Sequence, residues 1–326
     1  MITAVGGYVP KDVLSNADLE KLVDTNDEWI RTRTGISERR ILRGEGLGTS
    51  DMALEAAKIV LAKRGIEASD LDMIIVATTT PDHVFPSTAN ILADKLGAGD
   101  CFGFDLQAAC SGFLFALTTA SKFVESGSHK KVLVVGGDKM SSIVNYEDRA
   151  TCIIFGDGAG AVLLEPTEED GIGIMDADLH SDGVGRTFLN MKAGGSAYPA
   201  TAETVAAKEH YVFQEGAPVF KAAVKGMPES VKILLDRNEL AVNDITWLVP
   251  HQANKRIIDG VGNYLGIDPE RVCINIQKYG NTTSGTIPLC LWEWENQFKK
   301  GDNIMLTAFG GGFTWGSVWI RWGYNS

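Results

Sequence analysis

Three pairs of segments in this chain resemble one another, in the same order and at nearly the same spacing. The pairs are 56–80 with 230–254, 101–112 with 272–285, and 126–138 with 298–312, so each displacement is about 170–175 residues. A chance similarity would not keep one displacement across three segments, and the sequence therefore indicates an internal duplication. The alternative is that both halves share only the general rhythm of α/β proteins.

Strand-like and helix-like segments alternate along the chain. The strand-like runs are β-branched and largely apolar, and the helical segments end at glycine. The runs are 71–80, 132–138, 151–165, 245–250, 271–276 and 303–312, and the helical segments include 50–65 and 112–127. Nearly continuous apolar strands indicate an α/β protein whose sheets are covered on both faces. The Gly- and Ala-rich segment 180–215 predicts a mobile, lid-like loop followed by a helix.

The charge and the cysteine content exclude several classes of function. A net charge of −12 opposes binding to nucleic acid, which needs a cationic surface. No apolar stretch approaches the roughly 18 residues of a membrane span, and the N-terminal MITAVGGYVPKDV does not resemble a signal peptide. The five cysteines lack CxxC spacing, which argues against a disulfide framework or a zinc site. We therefore expect a cytoplasmic protein without a metal.

Cys110 lies where a strand-like run gives way to a predicted helix. Taken alone, a free cysteine is most often a small buried filler. A thiol at the start of a helix, however, is close to the positive end of the backbone dipole, which favours the thiolate. The small neighbours Ala108, Ala109 and Gly112 leave room for a substrate. These features predict a nucleophile at Cys110.

The duplication relates two distant polar residues to Cys110. Cys110 lies opposite the segment GNTTSG, which contains Asn281, and the strand that ends at Ala77 lies opposite the strand that runs into His251. Halves related by a pseudo-twofold axis bring equivalent strand ends to one centre, so we expect Cys110, His251 and Asn281 to lie within reach of each other. Taken singly, a histidine after Pro250 and an asparagine in a turn are ordinary structural residues.

Three glycines follow the last apolar run, in AFGGGFTWGS at 308–317. Such glycines let main-chain N–H groups approach a ligand closely, as an oxyanion hole requires. A phosphate-binding loop is the alternative, although the segment lacks the GxxxxGK[ST] and GxGxxG spacings. The segment therefore predicts an oxyanion hole.

Together these motifs resemble the 3-oxoacyl-(acyl-carrier-protein) synthase III enzymes, which are condensing enzymes of the thiolase-fold superfamily. The matching motifs are 15–40, DLQAACSGF, IFGDGAGAVLLE, LVPHQANKRII, YGNTTSGTIP and AFGGGFTWGS, in that order. The resemblance implies a homodimer and a five-layered α-β-α-β-α fold, built from two duplicated halves related by a pseudo-twofold axis. The half at 1–168 would carry the nucleophilic cysteine, and the half at 169–326 the histidine and the asparagine.

The resemblance also implies a decarboxylative Claisen condensation that initiates type II fatty-acid synthesis. Cys110 would accept the acyl group of a short acyl-CoA, with the N–H groups of Cys110 and Gly311 as the oxyanion hole. Malonyl-acyl carrier protein would then lose carbon dioxide, while His251 and Asn281 donate hydrogen bonds to its enolate. The product would be a 3-oxoacyl-carrier protein. The coenzyme A thioester is a substrate, and no cofactor is expected.

Residues that bind substrate and partner carry over from the same resemblance. For coenzyme A and its pantetheine arm they are Trp29, Arg33, Thr34, Arg149, Gly216 and Asn254. For the acyl pocket they are Phe220 and Phe85, of which Phe85 would reach the pocket of the partner subunit. The patch that docks the acidic carrier protein would be Lys221, Lys225, Lys255 and Arg256. The primer is open among acetyl, propionyl and branched acyl groups.

Three other functions remain open from the sequence. A related condensing enzyme or acyltransferase of secondary metabolism would carry similar motifs. A non-catalytic subunit of the same fold would have no need of the intact Cys110, His251 and Asn281. A cysteine hydrolase would use the same residue types, but it would need histidine as a base beside the sulfur and open access for water.

Overall fold

The computed structural model describes residues 1–325. Its strands are β1 (Ile2–Tyr8), β2 (Val13–Ser15), β3 (Glu38–Arg40), β4 (Met73–Ala77), β5 (Phe102–Leu106), β6 (Val132–Asp138), β7 (Gly158–Leu164), β8 (Gly173–Ser181), β9 (Leu189–Met191), β10 (Val212–Gln214), β11 (Trp247–Pro250), β12 (Asn303–Gly310) and β13 (Thr314–Arg321). Its helices are α1 (Asn16–Leu19), α2 (Asp27–Thr34), α3 (Thr49–Arg64), α4 (Thr88–Leu96), α5 (Gly112–Glu125), α6 (Arg149–Cys152), α7 (Ala202–Ala206), α8 (Gly216–Arg237), α9 (Lys255–Leu265), α10 (Ile276–Tyr279) and α11 (Thr286–Trp294). Across this described range, none of the helices combines the length and the apolar character needed to cross a membrane.

Two sheets with the same strand order form the framework. In the first sheet β7 is antiparallel to β1 and β6, and β4 is parallel to β6 and β5, which gives the order β1-β7-β6-β4-β5. In the second sheet β13 is antiparallel to β8 and β12, and β11 is parallel to β12, which gives β8-β13-β12-β11. A parallel bridge between Leu248 and Val272 occupies the place of a fifth strand. The repeated topology is what a duplicated chain predicts.

The helices and sheets form the five layers α-β-α-β-α. Helices α5 and α11 lie between the sheets and contact strands of both. Helices α3 and α4 cover the outer face of the first sheet, and α8 and α9 cover the outer face of the second. Successive residues of β4 point to opposite faces of the sheet, so Ile75 packs in the central core and Ile74 in the outer core. Strands buried on both faces explain the continuous apolar runs of the sequence.

Three segments differ from the sequence-based prediction. The run 151–165 is not one strand, since α6 ends at Cys152 and β7 begins only at Gly158. The run 271–276 forms a single bridge. There the Gln252 side chain takes the place of a strand neighbour, since it donates to the Cys273 carbonyl and accepts from the amides of Asn275 and Ile276. The segment 180–215 contains the paired strands β9 and β10, and its helix α7 has only five residues.

Candidate active site

Cys110 lies in a 3₁₀ turn between β5 and α5. The turn begins at Ala109, whose φ of 46° is rare for a residue with a Cβ. Two hydrogen bonds fix this turn to β13. Ser111 Oγ donates to the Thr314 carbonyl over 3.0 Å, and Thr314 Oγ1 donates to the Ala108 carbonyl over 2.8 Å. The second sheet therefore holds the turn that carries the thiol.

The environment of Cys110 favours the neutral thiol. The residue is 7% exposed, and burial raises the pKa of its thiol to about 12, with a smaller contribution from the nearby Asp138. A hydrogen bond from the Asn281 side chain acts in the opposite direction but does not prevail. The helix start, which the sequence predicts to favour the thiolate, does not decide the charge of Cys110, because desolvation outweighs the favourable end of α5.

His251 is a buried, neutral imidazole directly after β11. Its amide donates to the Thr307 carbonyl over 2.8 Å, and its Nδ1 lies 2.6 Å from Thr286 Oγ1. Burial lowers the pKa of His251 to about 3, so the ring is uncharged at neutral pH. Within residues 1–325 its Nε2 has no hydrogen-bond partner, although the side chain is only 1% exposed. A buried polar atom of this kind suits a group that meets a substrate.

Asn281 is held from both halves with its amide directed at Cys110. Its Oδ1 accepts from the Thr283 amide over 2.8 Å, which leaves the amide nitrogen as the donor to the thiol. Its backbone bonds to the loop before β7, where its amide donates to the Ile154 carbonyl and its carbonyl accepts from the Gly156 amide. The turn that carries Cys110 thus packs against the turn that follows Asn281, and Thr286, which comes after that second turn, links it to His251.

The buried carboxylate of Asp138, at the end of β6, joins the two halves beside the thiol. Its Oδ1 accepts from the hydroxyls of Thr78, Thr79 and Thr80 at the end of β4. Its Oδ2 accepts from the amide of Ser284 over 3.0 Å and from its hydroxyl over 2.7 Å. Burial raises the pKa of Asp138, and these donors oppose that shift. Asp138 therefore braces the Asn281 turn against the first sheet.

Gly310, the last residue of β12, approaches the Cys110 turn closely. A Cβ on Gly310 would stand 2.6 Å from the Cys110 backbone nitrogen, so only glycine leaves room for the turn. A Cβ on Gly311, the predicted oxyanion donor, would lie 3.2 Å from the side chain of Leu189. Gly310 is therefore the glycine that touches the turn, and the oxyanion hole with the Gly311 N–H stays a prediction.

The predicted coenzyme A residues lie on α2 and α6 and at the starts of α8 and α9. The guanidinium groups of Arg33 and Arg149 lie 4.6 and 4.9 Å from the centre of the Trp29 ring. Thr34 is buried, and its hydroxyl donates to the Ile30 carbonyl, which gives it a structural role at the end of α2. The other two are Gly216, the exposed first residue of α8, and Asn254, which caps α9.

The predicted docking patch is exposed on two neighbouring helices. Lys221 and Lys225 lie one turn apart on α8, and Lys255 and Arg256 begin α9. Lys255 also bonds to Asp259 on its own helix. The Arg256 guanidinium lies 5.4 Å from the centre of the Phe220 ring, so this predicted pocket residue contacts the patch. Phe85 is 85% exposed in the loop between β4 and α4.

Two further features concern metal ions and a second cavity. The described residues contain no group of three or more His, Cys, Asp or Glu side chains arranged for a metal ion. A cavity of about 700 Å³ lies beside α2 and the start of α9, where Arg31, Gly35 and Lys255 line it. That cavity is separate from Cys110, His251 and Asn281, none of which lines it.

Comparison with known proteins identifies the family. Residues 104–183 match the family described as 3-oxoacyl-[acyl-carrier-protein (ACP)] synthase III, and residues 235–322 match its C-terminal family. A beta-ketoacyl-[acyl-carrier-protein] synthase III of Phocaeicola vulgatus is 57% identical over 325 residues, which are 100% of this chain and 97% of the relative. The chain belongs to the 3-oxoacyl-(acyl-carrier-protein) synthase III family.

Solved structures of synthase III have the same fold. The enzyme of Aquifex aeolicus aligns with a TM-score of 0.90 at 43% identity, over 98% of this chain and 99% of that chain. The enzyme of Pseudomonas aeruginosa aligns with a TM-score of 0.91 at 38% identity, over 100% of this chain and 98% of that chain. The chain is thus a thiolase-fold acyltransferase, a condensing enzyme that initiates fatty-acid synthesis, and the alternative in secondary metabolism is not favoured.

Sequence reasoning missed three residues of this site. Gly310 is one position before the glycine that was singled out, and only its distance from the Cys110 turn distinguishes it. Asp138 stands at the end of an apolar strand, where an isolated carboxylate is itself a signal. Thr286 is the counterpart of Gly112 in the duplication, 174 residues later, so an alignment of the two halves could have found it.

Proposed function

We propose that this synthase III condenses a short-chain acyl-CoA with malonyl-acyl carrier protein, by way of an acyl group on Cys110. The observation that supports this best is the packing of the Cys110 turn against the turn that follows Asn281, with the Cys110 turn held to β13 by two hydrogen bonds. The neutral ring of His251, with its unpartnered Nε2, supplies a second polar group of the same centre.

The loading step transfers the acyl group from one sulfur to another. Cys110 Sγ attacks the thioester carbonyl, the bond to coenzyme A breaks, and the thiol proton ends on the coenzyme A sulfur. Because burial raises the pKa of Cys110 to about 12, the thiol must lose this proton as the substrate binds rather than beforehand. The N–H groups of Cys110 and Gly311 hold the oxyanion that forms.

The condensing step uses donors rather than a second acid. The malonyl group loses carbon dioxide, and the enolate oxygen accepts from His251 and from the Asn281 amide. The carbanion then attacks the acyl-cysteine, which gives the 3-oxoacyl product, and the departing sulfur takes up one proton from solvent. Burial keeps His251 neutral, so it donates a hydrogen bond without becoming an acid.

The remaining assignments are proposals of the same kind. The chain divides into halves 1–168 and 169–326, with the nucleophile in the first and His251 and Asn281 in the second. The coenzyme A thioester enters past the ring of Trp29 and its two arginines, and the lysines and Arg256 of α8 and α9 dock the acidic carrier protein. The exposed ring of Phe85 reaches the pocket of a second copy in a homodimer. The enzyme is cytoplasmic and needs no resident cofactor.

Intact-protein mass spectrometry tests this function. Incubation with acetyl-CoA should add one acetyl group to the wild type and to Cys101→Ala, but none to Cys110→Ala. Addition of malonyl-acyl carrier protein should discharge the adduct as 3-oxobutyryl-carrier protein. An adduct that persists in Cys110→Ala, or one that water removes as fast as the carrier protein does, would contradict the proposal and favour another nucleophile or a hydrolase.

A further inference from the structure

The Thr286 hydroxyl stands between the imidazole of His251 and a backbone carbonyl. Its Oγ1 lies 2.6 Å from His251 Nδ1 and 3.2 Å from the Thr283 carbonyl oxygen, and both side chains are buried. A hydroxyl carries one hydrogen and can donate to only one of these acceptors. Which acceptor receives it decides which ring nitrogen of His251 carries a hydrogen.

The two distances favour donation to the imidazole. Hydrogen bonds between a hydroxyl and an oxygen span about 2.5–3.0 Å, so the Thr283 carbonyl at 3.2 Å is a poor acceptor. Thr286 Oγ1 and His251 Nδ1 are 2.6 Å apart. An N–H group that donates to an oxygen usually lies about 2.9–3.0 Å from it, so the short distance fits a hydroxyl donor better. A neutral ring that accepts at Nδ1 carries its hydrogen on Nε2.

The first half of the duplication shows that packing alone does not require this pair. Ala77 and Gly112 stand 174 residues before His251 and Thr286, at the same strand end and the same helix start. There the contact contains no polar side chain, and a Cβ on Gly112 would lie only 3.2 Å from the Ala77 Cβ. In the first half the strand end and the helix start therefore pack closely without polar side chains. In the second half an imidazole and a hydroxyl occupy the same place.

We propose that Thr286 is a positioning residue that fixes the Nε2–H tautomer of His251, an inference that rests on the proposed function. Thr286 Oγ–H donates to Nδ1, and the unpartnered Nε2–H becomes the donor to the enolate oxygen of the malonyl thioester. In this tautomer Nε2 has no lone pair in the ring plane with which to accept the Cys110 proton. Thr286 therefore serves the condensing step and not the loading step.

Three variants test this role in the two half-reactions. Thr286→Val removes the hydroxyl at nearly constant shape, Thr286→Ser restores it, and Thr307→Val removes another buried hydroxyl, which bonds to the Met227 and Gly316 carbonyls and not to His251. We expect Thr286→Val to slow condensation with malonyl-carrier protein by about 10–100-fold, somewhat less than the loss of a direct donor. Its rate of Cys110 acetylation should change by less than about threefold on the same reasoning. Thr286→Ser should recover most of the lost rate, and Thr307→Val should affect neither step selectively.

Equal slowing of both half-reactions in Thr286→Val, or unchanged rates in both, would overturn the proposal. A wild type that forms no Cys110 adduct with acetyl-, propionyl- or branched acyl-CoA would instead refute the proposed function, so the two failures are distinguishable. Two-bond ¹H–¹⁵N spectra of the resting wild type give a readout that does not depend on activity or on the folding of a variant. With the signals of His251 assigned by comparison with His251→Gln, a hydrogen on Nε2 supports the role, and a hydrogen on Nδ1 contradicts it.

Discussion

The reactivity of Cys110 should rise steadily with pH and show no plateau near neutrality. A pKa of about 12 leaves about one thiol in 10⁴ ionised at pH 8, against about one in four for an unperturbed thiol of pKa about 8.5. Alkylation by iodoacetamide follows the thiolate, so the resting enzyme should react about three orders of magnitude more slowly than a free cysteine. The rate should increase about tenfold per pH unit from pH 7 to 10.

The assay needs one background substitution. Cys101 is half-exposed, and no lysine or arginine separates it from Cys110 between Lys95 and Lys122, so trypsin leaves both on one peptide. Alkylation is therefore followed by peptide mass in Cys101→Ser, with Cys101→Ser/Cys110→Ser as the blank. A rate that levels off between pH 7 and 8.5 would refute the reasoning. It would mean that the end of α5 and the Asn281 amide stabilise the thiolate more than burial disfavours it.

Three further outcomes follow from the site. Gly310→Ala should reduce Cys110 acetylation at least about tenfold, because its Cβ would stand 2.6 Å from the Cys110 amide, whereas Gly195→Ala, with open space around it, should leave the rate unchanged. Trp29→Ala should raise the KM for acyl-CoA about tenfold with little effect on kcat, because the stacking of the coenzyme A base on this ring, worth about 1–3 kcal/mol, would be lost. Arg256→Glu should raise the KM for malonyl-carrier protein and spare loading from acyl-CoA, and the KM difference should shrink as salt is added.

Each of these three predictions would be contradicted by a specific result. Normal acetylation of Gly310→Ala would show that the Cys110 turn can shift without loss. A fall in kcat of Trp29→Ala at saturating substrate would place the ring in the chemistry and not in binding. Equal loss of loading and condensation in Arg256→Glu would mean that the substitution damages the site rather than a docking surface.

The architecture was predictable because it is repeated and because its strands are buried on both faces. One displacement across three segments predicted two equivalent sheets, and the apolar run around Ile75 predicted helices on both sides of β4. The same symmetry predicted that the turns beside Cys110 and Asn281 lie close together, and these turns do pack against each other. These inferences depend on patterns that extend over many residues, so single exceptions do not disturb them.

The sequence-based predictions that failed concern properties that depend on a single tertiary contact. The thiolate prediction for Cys110 counted the helix end but not the desolvation, which depends on how closely the other half covers the sulfur. The predicted strand at 271–276 is replaced by backbone contacts to the Gln252 side chain. The role of Thr286 depends on the position of one hydroxyl group, which no local pattern around it reveals.

The left-handed residue before Cys110 has a counterpart in the other half. Ala109 and Thr283 have φ values of 46° and 56°, both begin a short 3₁₀ turn that leads into a buried helix, and 174 residues separate them. Cys110 therefore corresponds to Ser284, whose hydroxyl contacts the carbonyl of Ala77 and the carboxylate of Asp138. The same turn therefore occurs in both halves with different roles. In the second half it fixes Ser284 to the first sheet, and in the first half it carries the proposed nucleophile. Substitutions that remove the hydrogen bonds of Ser284 should accordingly displace the turn of Cys110, although Ser284 lies in the other half.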